Sequence, residues 1–152
     1  MKILIPALMA LMSATQAFAC GGTVAGNIEI ENPWSRASIG TDRPGVVYLT
    51  IRNIGPAADM LTSIATPVAD MPMLHETVVT DGIASMPHVM AVSVPAKGAI
   101  ALEPGGFHAM LMGLTQKLEK GATFPVTLTF RDAGAVTVDV EIRGLGAKGP
   151  EC

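Results

Sequence analysis

Short runs with a period of two set the fold class of this chain. "FPVTLTF" (124–130) alternates Phe124, Val126, Leu128 and Phe130 with Pro and Thr. "VTVDVEI" (136–142) alternates Val136, Val138, Val140 and Ile142 with Thr, Asp and Glu, and "VVYLTIR" (46–52) behaves the same way. Successive side chains of a strand point to opposite faces, so each run has one dry face and one wet face. "RDAGA" joins the last two runs and predicts a hairpin. "NIEIENPW" and "HVMAVSV" (88–94) add strands, while "PAKGAI" and "EPGGF" read as loops from their Pro and Gly content. No long segment has helical periodicity. Many short strands, frequent turns and no helix predict an all-β antiparallel sandwich or barrel in one domain. Aromatic residues are only 4% of the chain, so valine and methionine must fill much of the core.

The first 19 residues stand apart. "MKILIPALMALMSATQAFA" has an early lysine, an apolar run from Ile3 to about Met12 and the small-x-small ending Ala17-Phe18-Ala19. This predicts a secretory signal cut after Ala19, with a run too short to span a bilayer. The expected destination is the periplasm. Cys20 follows the cut, as in a lipoprotein, but position 17 is Ala where a lipid-modification signal usually carries Leu. Residues 20–26 and 146–152 are Gly-containing ends predicted to be flexible, leaving 27–145 as the β domain. Without Lys2 the chain carries nine basic against thirteen acidic side chains, near −4, with no basic patch. Nucleic acid and anionic membrane surfaces are poor partners for such a charge pattern, and no membrane span is expected after the leader. Cys20 and Cys152 open and close the exported chain; they could pair in an oxidising compartment or stay apart as two loose ends.

All three histidines lie between positions 71 and 112, together with six of the seven methionines beyond the leader. Asp81-Gly82 sits between two strand-like runs and is a favoured type I′ pair. A two-residue turn there makes partners sum to 163, so Thr77 faces Met86, His75 faces His88, and Met73 faces Met90. His75 and Met86 become diagonal neighbours, roughly 7–8 Å apart at the backbone. Pro87 strains this register, because it cannot donate to the ladder. In "FHAMLMGL" (107–114), His108, Met110 and Met112 share one strand face. If that face meets the one carrying His75 and Met86, two imidazoles and two thioethers converge. Thioether sulfur is soft and favours Cu(I), and imidazole tolerates either oxidation state of copper. Methionine is not a usual zinc ligand. A blue-copper site needs a cysteine thiolate, and none lies nearby.

The spacing His75, ten residues, Met86, twenty-one residues, His108-x-Met110 resembles that of the PCuAC family of periplasmic copper chaperones. Flanking text resembles it too: "NPWSRAS", "VVYLTIRN", "LHET", "DGIASM", "LEPGGFHAMLMGL" and "TLTF", over roughly 28–143. The resemblance implies a cupredoxin-like Greek-key β-barrel and one exposed Cu(I) site. It implies His75, Met86, His108 and Met110 as the metal ligands. It also implies delivery to a copper-accepting protein, either the copper A centre of a cytochrome c oxidase subunit or another assembly chaperone. Some relatives hold further copper in a His- and Met-rich tail; "GLGAKGPEC" has neither residue.

Other readings are bounded by the same residues. A periplasmic copper-buffering or resistance protein without a dedicated acceptor would use the same four ligands. An enzyme is not expected: there is no CxxC, no nucleophile elbow and no phosphate loop, and His75-Glu76 lacks the second histidine of HExxH, since position 79 is Val. His88 reads as a solvated histidine, with an auxiliary ligand role as the alternative. Met112 reads as core or hydrophobic rim, with an accessory ligand role as the alternative; Met71, Met73 and Met90 read as packing, with a methionine-lined approach for copper as the alternative. Trp34 reads as core.

Overall fold

The structure is a computed structural model that describes residues 22–150. The leader, Cys20 and Cys152 lie outside these residues, so neither the cleavage site nor the cysteine pairing is touched by it. Twelve strands form, with no helix among the described residues: β1 Thr23–Ala25, β2 Ile28–Arg36, β3 Gly45–Asn53, β4 Asp59–Ala65, β5 Ala69–Glu76, β6 Val78–Thr80, β7 Ile83–Ser85, β8 Val92–Val94, β9 Gly98–Leu102, β10 Phe107–Leu114, β11 Thr123–Phe130 and β12 Gly134–Arg143. The main sheet runs β5-β10-β9-β3-β2-β12-β11-β4-β8, with β1 paired to β2 and β10 also bonded to β3. β4 lies alongside β5, which brings the two ends of the sheet together into a nearly closed barrel. β6 and β7 stand off as a separate two-stranded hairpin.

Period two explains the core. In β11 the apolar set Phe124, Val126, Leu128 and Phe130 is buried, and in β12 the set Val136, Val138, Val140 and Ile142 is buried; their Thr, Asp and Glu neighbours point outward. The two strands pair from Thr123↔Glu141 to Phe130↔Gly134, so both apolar sets face inward together. Each fully buried Leu, Ile or Phe is worth about 1.5–3 kcal/mol of transfer energy. Trp34 is buried, but beside the main core: its ring centroid lies 4.7 Å from that of Tyr48, and the Arg36 guanidinium sits 5.9 Å from the Trp34 ring.

The structure departs from the sequence reading at its punctuation. Gly98–Leu102 of "PAKGAI…" is strand β9, because its backbone is captured by β3 through Asn53↔Gly98 to Leu49↔Leu102. In "HVMAVSV" only Val92–Val94 is a strand; Pro87 interrupts the ladder, and His88 makes an isolated bridge. Residues 23–25, expected to be loose, pair with β2 from Thr23↔Ile30 to Ala25↔Ile28. The tail is also tied: Arg36 Nε donates to the Ala147 carbonyl at 2.7 Å.

Candidate metal centre

The centre is built on β5 and β10. These strands pair antiparallel through His108↔His75, Met110↔Met73 and Met112↔Met71. Their inward positions, Leu74, Ala109 and Leu111, are buried in the core. Alternation therefore sends His75, His108 and Met110 to the outer face of the barrel. The site sits on the wall rather than inside it.

The hairpin register predicted from Asp81-Gly82 is present. Both residues have positive φ, 52° and 77°, as a type I′ turn requires. The pairs Thr80↔Ile83, Val79↔Ala84 and Val78↔Ser85 follow, and His75↔His88 bridges in the same register. One rung differs. The Thr77 N–H donates to the Gly106 carbonyl at 3.1 Å, so Thr77 continues the β5–β10 ladder instead of facing Met86. This frees the hairpin to leave the sheet at Thr77.

Both candidate imidazoles are held by one nitrogen. His75 Nδ1 lies 2.9 Å from the Met86 carbonyl, and His108 Nδ1 lies 3.0 Å from the Gly106 carbonyl. A carbonyl can only accept, so each Nδ1 carries the proton and each Nε2 keeps its lone pair. This is how metal-bound histidines are commonly oriented. Gly106 does double duty, since the same oxygen also receives Thr77 N–H. His75 Nε2 is buried and has no hydrogen-bond partner among the described residues. An unpaired buried imidazole nitrogen costs about 1–3 kcal/mol, which a bound ion would recover.

The rings of His75 and His108 are 5.9 Å apart between centroids and inclined by 28°. His108 is 5% exposed. Met110 follows it on the same face and is partly exposed. Met86 is tied to His75 through its backbone carbonyl, while its side chain is 53% exposed. The ring of His88 lies 5.8 Å from His75 at 67°. Yet no group of three or more His, Cys, Asp or Glu side chains among the described residues is arranged to hold a metal.

Residues 28–142 match the family model "Putative lipoprotein LpqE-like". The "Putative lipoprotein Lxx21020" of Leifsonia xyli subsp. xyli (strain CTCB07) is 30% identical over 123 residues, spanning 80% of this chain and 73% of that one. The apo PCuAC domain from PmoF1 superimposes with a TM-score of 0.70 at 27% identity, over 81% of this chain and 98% of that domain. The chain belongs to the PCuAC family. A second PCuAC relative, the solution structure of CuI-DR1885 from Deinococcus radiodurans, is 29% identical with a TM-score of 0.62, over 86% of this chain and 85% of that one. The barrel described above is thus the cupredoxin-like Greek-key fold of PCuAC proteins.

The sequence favours packing over a methionine-lined approach on this PCuAC face, and exposure decides otherwise for two residues. Met71 and Met90 are 58% and 82% exposed, which rules out the packing role expected for them. Their spacing to Met73 and His88 was a period-two signal, but which side of the strand is wet is decided only by the β5–β10 pairing.

Proposed function

We propose that this chain is an exported copper chaperone. It holds one Cu(I) through His75, Met86, His108 and Met110 and delivers it to an acceptor, the copper A centre of cytochrome c oxidase. The observation that carries this reading is the orphaned Nε2 of His75 beside a second imidazole whose Nδ1 is equally committed. Relatives described as copper-loaded, such as CuI-DR1885, support the cargo. A donor set of neutral imidazoles and thioethers suits Cu(I) and adds no charge for the acceptor to overcome.

Release follows from exposure. Met86 is carried at the end of the β6–β7 hairpin and is the ligand an incoming sulfur or nitrogen replaces first. His108, buried and pinned by Gly106, lets go last. The metal stays Cu(I) throughout, and only ligands exchange.

X-ray absorption on the Cu(I)-loaded protein tests the site: mixed sulfur and nitrogen scattering is expected, and nitrogen-only scattering overturns it. A deletion strain grown under copper limitation tests delivery; intact oxidase activity would leave copper buffering as the function. A lipid on Cys20 is a second reading of how the exported chain is held, favoured by the relatives' descriptions as lipoproteins. Labelled palmitate that is incorporated by the wild type and lost in Cys20→Ser would establish it.

A further inference from the structure

Beyond the His75/His108 rung, the outer face of β5 and β10 continues as sulfur alone. Met73 pairs with Met110, and Met71 pairs with Met112. Directly paired strand residues place their Cβ atoms about 4.5–5.5 Å apart, and diagonal neighbours lie about 7–8 Å apart. Methionine has three rotatable bonds beyond Cα to close that distance. Met90 adjoins the same face: it shares with Met73 and His88 the wall of a cleft of about 150 Å³. Five of the seven methionines beyond the leader therefore gather on one patch of barrel wall.

Packing does not account for this patch. The core beneath it is already filled by Leu74, Ala109 and Leu111 from the opposite faces of the same strands. Met71 is more than half exposed, and Met73 and Met112 are partly exposed. Exposed apolar side chains grouped on one surface point to a binding role. The common property of this group is soft sulfur, which binds Cu(I) or Ag(I), needs no deprotonation and ignores hard cations.

We propose that Met71, Met73 and Met112 form a second, all-thioether subsite for a monovalent soft ion. It lies next to the histidine centre, with Met110 on the rung between them. Successive rungs are about 6.6–6.8 Å apart along the strands. An ion can therefore pass from the Met71/Met112 rung to the Met73/Met110 rung and on to the imidazoles by exchanging one thioether at a time. The subsite takes up the ion and the histidine centre keeps it. None of its three residues belongs to the four-ligand centre, so the two assignments stand or fall separately.

The test is Ag(I), a redox-inert stand-in for Cu(I), added to the purified protein and followed by native mass spectrometry and methionine methyl NMR. Two ions per chain are expected, with the methyls of Met71, Met73 and Met112 shifting as the second equivalent binds. The Met71→Leu/Met73→Leu/Met112→Leu chain should fall from two ions to one. His75→Ala/His108→Ala should also fall to one, with the same three methyls still shifting. A wild type that stops at one ion, or three methyls that stay still at the second equivalent, overturns the subsite. That methyl readout needs no variant to fold.

Discussion

The two faces of β10 make opposite predictions from adjacent residues. Leu111 is 0% exposed and belongs to the core, whereas Met110 is partly exposed and faces out. Leu111→Ala removes buried methyl and methylene groups and leaves a cavity, a change that costs about 3–5 kcal/mol. For a domain of this size each kcal/mol lowers Tm by roughly 3–5 °C, so a fall of roughly 10–20 °C is expected. Met110→Ala removes only half-buried atoms and should cost the metal-free protein about 1 kcal/mol or less. Metal closes most of the gap between the two variants. An ion that binds only the folded state at a hundredfold excess over its Kd adds about 2.7 kcal/mol. The wild type and Leu111→Ala should both show that gain in a thermal melt with Ag(I), and Met110→Ala should lose most of it. Scanning calorimetry of the three proteins with and without the ion gives the six melts this comparison needs. If Met110→Ala destabilises the metal-free protein as much as Leu111→Ala does, Met110 is core and the metal reading of this face is wrong.

Other perturbations probe the frame around the site. Burial pushes the Asp59 carboxyl up, but N–H bonds from Asp132, Met60 and Ala133, helped by Arg131, outweigh it and hold the group below the usual carboxylate range. Its contribution is therefore full above the unfolded carboxylate pKa and is lost as pH falls through the depressed folded value. Asp59→Asn should cost about 2 kcal/mol in urea unfolding at neutral pH, and the gap to wild type should close below about pH 4; a gap independent of pH would refute this account. Burial raises the pKa of Tyr48, the one tyrosine, and the Arg36 guanidinium 5.7 Å from its ring opposes that rise. In Arg36→Gln the phenolate absorbance should appear at still higher pH. Gly113 has φ of +65°, and a Cβ there would lie 3.2 Å from Asp70 Cβ and Oδ2. Gly113→Ala should cost about 1–2 kcal/mol in urea unfolding, with Ag(I) stoichiometry unchanged.

Local signals carried the sequence reading a long way. Alternation in 124–130 and 136–142 gives the inward faces of β11 and β12, and Asp81-Gly82 gives the hairpin register through to His75↔His88. What stayed hidden was non-local. The pairing of His75 with His108 joins residues 33 positions apart, and no turn between them dictates it; only family-like spacing pointed there. The same pairing decides that Met71, Met73 and Met112 face outward, a choice between packing and a copper approach that period two alone leaves open. β9 was hidden because Pro95 and Gly98 suggest a loop, while β3 supplies an edge that any backbone can join. Trp34 is buried as expected, packed against Tyr48 and Arg36 at the edge of the core.

The position of the centre on the wall has a consequence for the life of the carrier. In a zinc finger the ion is part of the fold, and losing it means unfolding. Here Leu74, Ala109, Leu111 and their neighbours are satisfied without any ion. On the proposed function, loading and unloading are thus detached from chain collapse, and the emptied carrier would stay folded. One molecule can make repeated trips, each costing a few ligand bonds and no refolding.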